Sequence, residues 1–252
     1  MAIVDDGRLA VDASTVPAED LAAAALSLAR RFGAGGTMWC VAPRWPSHAR
    51  HVAVEFVHPV IVGKRALPAA FVHAATAVSA VRELARPGDV LLVVSTADDP
   101  SLDALLTRAD AWGLTSVWLG AGRRGAAAEP LPRADHMVWL ETGDAAVAAR
   151  SGDLVMLYHL LWELTHVVFE HPGLLTEDAD TSTDCADDVC ITCSDEGRVA
   201  EVRALLDDGR VEVLAGGHAE QVDGRLVGDL RPGDLVLVHA GVAVTTLRGS
   251  DD

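Results

Sequence analysis

The 252-residue sequence has no run of 18 or more apolar residues, which excludes a hydrophobic membrane-spanning helix. Its opening residues, Met1 to Asp6, lack the basic start and apolar stretch of a secretory signal, so a cytoplasmic protein is expected. Basic residues are scarce: 20 Lys and Arg stand against 37 Asp and Glu, for a net charge of -17. Such a surface repels nucleic acid and anionic lipid, and neither is an expected partner. There are only four cysteines, too few for a disulfide framework in a reducing compartment. Three of them, Cys185, Cys190 and Cys193, fall within nine residues, which points to metal or thiol chemistry. No internal repeat is present. Apolar residues make up 50% of the chain, enough for a full core, and the length suits two domains of unequal size.

The first part of the chain alternates helical and strand patterns. Glu19 to Arg31 is rich in Ala and Leu with charges at both ends and predicts a helix, stopped by the glycines between Gly33 and Gly36. Thr37 to Ala42 predicts a short buried strand, and after the Pro43–Pro46 loop Ser47 is placed to cap a helix running through His48 to His58. Gly88-Asp89 opens the continuous apolar strand Val90 to Thr96, of the kind buried on both faces of a parallel sheet. A helix over Asp98–Trp112, strands at Ser116–Leu119 and His136–Leu140, and a long amphipathic helix over Asp144–Glu170 follow. This alternation predicts a three-layer α/β domain with a parallel sheet over residues 1–174.

Past His171-Pro172-Gly173 the composition changes. Residues 175–189 carry six acidic side chains, no basic one and no periodicity, which reads as a linker. Beyond it, short strand patterns at 199–206, 211–217, 219–222, 225–230, 234–240 and 242–247 are separated by Asp208-Gly209, Gly216-Gly217, Asp223-Gly224 and Pro232-Gly233. A closed five- or six-stranded barrel of the OB type is expected over 190–252.

Cys190-Ile-Thr-Cys193 lies where the acidic segment enters the barrel. A CxxC pair holds a thiophilic metal or cycles as a disulfide; the plainer alternative is two incidental thiols in a loop. The pair alone supplies two ligands, so a structural zinc needs Cys185, His218 or His239 as well.

The segment Cys190-Ile-Thr-Cys-Ser-Asp-Glu-Gly-Arg-Val-Ala-Glu-Val, followed by Gly233-Asp-Leu-Val-Leu-Val-His-Ala-Gly-Val-Ala, resembles the HypC/HupF family of hydrogenase-maturation chaperones over essentially all of 190–252. The resemblance implies that Cys190 helps carry an iron bearing cyanide and carbon monoxide. It also implies two partners, a HypD-type scaffold protein and the precursor of the NiFe-hydrogenase large subunit. His239 matches the histidine of the family's VLVH strand, either as an iron residue or as a histidine satisfied by the backbone. Two departures stand out: Cys190 is internal rather than next to the initiator methionine, and the sequence ends soon after 242–247, where the resemblance implies a further C-terminal helix.

Gly88 to Leu119 with Arg133 to Leu140 resembles the sugar isomerase (SIS) fold, in particular its sedoheptulose-7-phosphate isomerase branch. The branch's phosphate-cradling hydroxyl loop corresponds here to Ser95-Thr96-Ala-Asp98-Asp99-Pro-Ser101, whose two carboxylates oppose a phosphate. Arg44 and Ser47, with Ser95 and Thr96, remain candidates for another anion. His51 and Glu55 share a helix face at i,i+4. Either they are an ordinary surface pair, or, as the resemblance implies, they join His159 as ligands of zinc or iron, with Ser151 at the branch's fourth position. The resemblance also implies a dimer or tetramer through this domain.

The expected protein is thus a SIS-like α/β domain followed by an OB-like barrel. The first reading of its role is an assembly protein for NiFe-hydrogenase. The alternatives are a metal-dependent enzyme acting on a small sugar or carbonyl compound, and a phosphosugar-binding regulator, which the altered loops disfavour.

Overall fold

The computed structural model describes residues 17–59, 61, 63–122, 133–141, 151–175, 198–239 and 241–247. Five parallel strands, β1 (Met38–Val41), β2 (Ala69–Phe71), β3 (Val90–Ser95), β4 (Thr115–Gly122) and β5 (His136–Glu141), form one sheet in the order β2-β1-β3-β4-β5. Helices α1 (Ala18–Gly33), α2 (Pro46–Val57) and α5 (Ser151–Glu170) cover one face, and α3 (Ala77–Leu84) and α4 (Pro100–Ala111) cover the other. The central strand explains the three layers. Val90, Leu92 and Val94 pack toward α1, α2 and α5, while Leu91 and Val93 pack toward α3 and α4. All five are fully buried, each stabilising the fold by roughly 1.5–3 kcal/mol.

Buried Asp89 anchors the entry to this strand. Its carboxylate accepts from Thr37 N–H at 2.8 Å, Trp39 Nε1–H at 2.9 Å and Arg86 N–H at 3.0 Å, pinning β1 and the preceding turn to the start of β3. The sequence-predicted helices and strands of this region are present, and their described ends lie within three residues of expectation. Two elements went unpredicted, edge strand β2 and helix α3. Ser47 is not the cap of α2: Trp45 occupies that position with no side-chain cap bond, Pro46 opens the helix, and Ser47 follows as an exposed residue. The expected start of the last helix at Asp144 lies outside the described residues, as does the acidic segment from 176 onward.

The C-terminal strands β6 (Arg198–Leu205), β7 (Arg210–Ala215), β8 (His218–Asp223), β9 (Leu235–His239) and β10 (Val242–Thr246) close into a barrel in the order β10-β8-β7-β6-β9. Strand β6 pairs antiparallel with both β7 and β9, and β8 meets β10 in parallel. That connectivity is a Greek-key barrel of the OB type. Small aliphatic residues fill it, including Ala200, Val202, Val211, Val213, Val236, Val238 and Ala243. Gly216 and Gly217, both at positive φ, make the two-residue turn from β7 to β8. Residues 225–230, expected as a strand, form the turn-rich connection to β9 instead. Gly228 there has φ 63°, and Leu230 plugs the barrel core.

The barrel is seated on the α3–α4 face of the first domain. Glu201 on β6, 1% exposed, accepts from Trp112 Nε1–H at 2.6 Å and from Arg82 Nη1 at 3.3 Å. Arg108 donates to Gly233 O, Gly217 N–H donates to Ala111 O at 3.1 Å, and Leu214 of β7 packs against the α3–α4 cluster. The backbones come so close that a Cβ at Gly113 would lie 2.7 Å from Gly216 O, so glycine is required there by space as well as by φ 71°.

Candidate metal centre

Helix α2 buries His48, Ala49, Val52, Ala53 and Phe56 against the sheet. One step round the helix, His51 and Glu55 turn to the seam with α5, where His159 meets them. His51 Nε2 lies 3.2 Å and His159 Nε2 3.4 Å from the same oxygen, Glu55 Oε1. The three side chains offer ligand atoms that all lie within 4.8 Å of one another, the one such group among the described residues. Glu55 is 16% exposed, and the two imidazoles 40% and 35%, so the cluster is sheltered but open to solvent.

Bonds of ~2.0–2.1 Å in a tetrahedral site place ligand atoms roughly 3.3 Å apart, close to the two histidine-to-carboxylate distances. Two imidazole nitrogens and a carboxylate oxygen suit zinc or iron and leave a coordination position for water or substrate. The fourth position implied by the resemblance, Ser151, begins α5, and its side chain lies outside the described residues.

Tyr158, 1% exposed, stands behind the cluster, with its hydroxyl 2.8 Å from His51 Nδ1. Its ring meets His48, His51 and His159 at centroid distances of 5.9, 5.2 and 5.3 Å. Burial, followed by the Glu55 charge, pushes its phenol well above the ordinary range. His48 is held below the usual histidine value by burial and then by His51. Nothing in the sequence marks Tyr158 beyond its being the chain's single tyrosine, directly before His159.

The candidate anion residues lie at the carboxyl ends of β1 and β3, where the strand order reverses and ligands commonly bind in open α/β sheets. Asp99 Oδ1 accepts from Ser101 N–H at 3.0 Å and Ser101 Oγ–H at 2.6 Å, so the chain's own carboxylate caps the N-terminus of α4. Arg44 bonds Asp98 Oδ2 and Asp98 O, both at 3.2 Å, and lies 3.8 Å from Asp99 Oδ2. Ser95 and Thr96 are buried and Ser47 is exposed. In the barrel, His239 ends β9 at the surface. Cys190 and Cys193, with Cys185, lie outside the described residues.

Residues 196–251 match the model of the HupF/HypC family, a span that holds all five barrel strands and begins three residues after Cys193. No curated protein matches the chain. Among solved structures, a phosphoheptose isomerase from Francisella tularensis aligns with TM-score 0.51 and 18% identity over 62% of this chain and 88% of that one. A phosphoheptose isomerase from Neisseria gonorrhoeae aligns at TM-score 0.46 and 19% identity, over 60% and 88%. At such identities the first of these carries the fold of the N-terminal domain, a SIS-type parallel sheet with its helices, and nothing of its chemistry.

Proposed function

We propose that, with a HupF/HypC-type barrel seated on a SIS-type domain, this chain is a cytoplasmic assembly protein for NiFe-hydrogenase. In this reading the barrel binds a HypD-type scaffold and the large-subunit precursor. The cargo, an iron bearing cyanide and carbon monoxide, passes through Cys190. The observation that carries the reading is the family match over 196–251, coinciding with a closed five-stranded barrel. A soft thiolate suits low-spin iron, and Cys193 and His239 are the further residues assigned to iron or partner binding. The SIS-type domain is assigned a dimer or tetramer contact. Val54, Met156 and Leu160, exposed apolar residues flanking the metal-site residues on α2 and α5, are the surface a second copy would cover. Replacing Cys190 with Ala in the native host is expected to abolish hydrogenase maturation; unchanged hydrogenase activity would sink the reading.

A second reading rests on the His51–Glu55–His159 cluster: a metal-dependent enzyme acting on a small sugar or carbonyl compound. The metal, when bound, would polarise a carbonyl oxygen as a Lewis acid. His51, Glu55 and His159 would hold it, and Tyr158 would fix the His51 ring. Asp98 and Asp99 in the loop after β3 point to a substrate without a phosphate there, and heptose or hexose phosphates are expected to leave the melting temperature unchanged. Metal analysis tests this reading: stoichiometric zinc or iron in the wild type, lost in His51→Ala, supports it, and its absence from both opposes it.

A further inference from the structure

We infer that Tyr158 is a two-way hydrogen-bond partner of His51, donating to Nδ1 while the cluster is metal-free and accepting from Nδ1–H once a divalent cation sits on Nε2. The inference rests on the metal-centre reading above and concerns how the site changes between its two states.

The carboxylate oxygen of Glu55 can only accept, so the Nε2 atom 3.2 Å from it carries the ring proton when no cation is present. A neutral imidazole has one N–H, which leaves Nδ1 as an acceptor. The hydrogen in the 2.8 Å contact between Nδ1 and the Tyr158 oxygen is then the phenol's. A metal takes the Nε2 lone pair and reverses this assignment: the ring proton must sit on Nδ1, and the same contact is bridged by Nδ1–H donating to the phenol oxygen. Protons balance, one on the imidazole and one on the phenol in both states. The Nε2 proton leaves to water and another arrives at Nδ1, while the phenol O–H only rotates about its C–O bond. Water reaches the ring because the His51 side chain is 40% exposed.

Few side chains can serve both states. A backbone carbonyl or a carboxylate behind Nδ1 fits only the metal-bound tautomer, and a backbone N–H only the metal-free one; a hydroxyl fits both. Tyr158 is held for the task by near-complete burial between His48, His51 and His159. Released from His51 Nε2–H, Glu55 Oε1 is free to become a ligand itself. The same hydroxyl therefore serves His51 in both states.

The test uses the full chain with Cys185, Cys190 and Cys193 replaced by serine, so that no thiolate in that segment competes, stripped by chelator and held near pH 8.5, above the ordinary histidine range. Nitrogen-15 NMR of His51 should show Nε2–H in the stripped protein and Nδ1–H after one equivalent of zinc. Tyr158→Phe, which keeps the ring and removes the oxygen, should weaken zinc binding by roughly 10–100-fold. The loss in zinc affinity should exceed the loss in stability of the stripped variant, a split that a merely structural role of the side chain would not produce. An Nδ1–H tautomer in the stripped protein, or equal zinc affinity in wild type and Tyr158→Phe, overturns the inference and leaves the metal-centre reading standing. Failure of the wild type to bind either zinc or iron overturns both.

Discussion

The indole N–H of Trp112, at the end of α4, donates to Glu201 Oε2 on barrel strand β6 at 2.6 Å. A carboxylate 1% exposed at a junction between two folding units is tolerated only because the indole and Arg82 both satisfy it. Replacing Glu201 with Ala strands the indole donor. Arg82, about one-third exposed, still finds water, so the expected loss is on the order of 1–3 kcal/mol. Urea unfolding followed by tryptophan fluorescence checks it. Glu201→Gln, which keeps an acceptor for the indole, should lose less.

Asp89 is the corresponding anchor within the first domain. Asp89→Ala removes the acceptor of three N–H groups at once, on Thr37, Trp39 and Arg86. At about 1–3 kcal/mol for each donor left without a partner, reduced where water enters, a loss of at least about 2 kcal/mol is expected. Calorimetry of the variant reads it directly, and no change in melting temperature would contradict the anchoring role.

His136, the first residue of β5, gives a pH dependence. Burial holds its pKa below the ordinary 6.5; Arg31 adds to the lowering and Asp135 opposes it. The unfolded chain therefore takes up a proton more readily than the folded one. The contribution to stability is complete above pH 6.5 and is lost as pH falls from there through the folded-state value. Urea midpoints measured across that window should decline toward acid, and His136→Gln should flatten the decline.

Cys40 is fully buried in β1, and burial pushes its thiol far above the ordinary value. Only the thiolate reacts with disulfide reagents. Peptide mapping after treatment of the native protein at pH 8 should find Cys40 unmodified, and modified once the chain is unfolded in urea. Rapid native labelling of Cys40 would contradict the packing.

Much of this architecture can be read from residue pattern alone, for reasons visible in particular segments. Val90–Val94 is apolar on both faces because the strand is covered on both faces, and the i,i+4 spacing of His51 and Glu55 needs only a helix to bring them together. Ala69–Phe71 carries no such mark: three residues at a sheet edge form a strand because β1 offers free partners, a tertiary fact. Residues 225–230 carry the apolar Leu226, Val227 and Leu230 that suggest a short strand, yet the chain makes a connection there and Gly228 bends it. The pairing of Tyr158 with His51 spans 107 residues, and that of Trp112 with Glu201 spans 89. No local periodicity encodes contacts of that kind, since they arise only when the layers are stacked.

The seat between barrel and sheet has a consequence for the chain as a polymer. The barrel is held on α3 and α4 by side-chain and backbone bonds formed by residues on either side of 176–197. A protease cut within that stretch should therefore yield two fragments that migrate as one particle under native conditions and separate only in denaturant. Nicked material should also divide more readily when Glu201 is Ala, which makes fragment retention a direct assay of the junction.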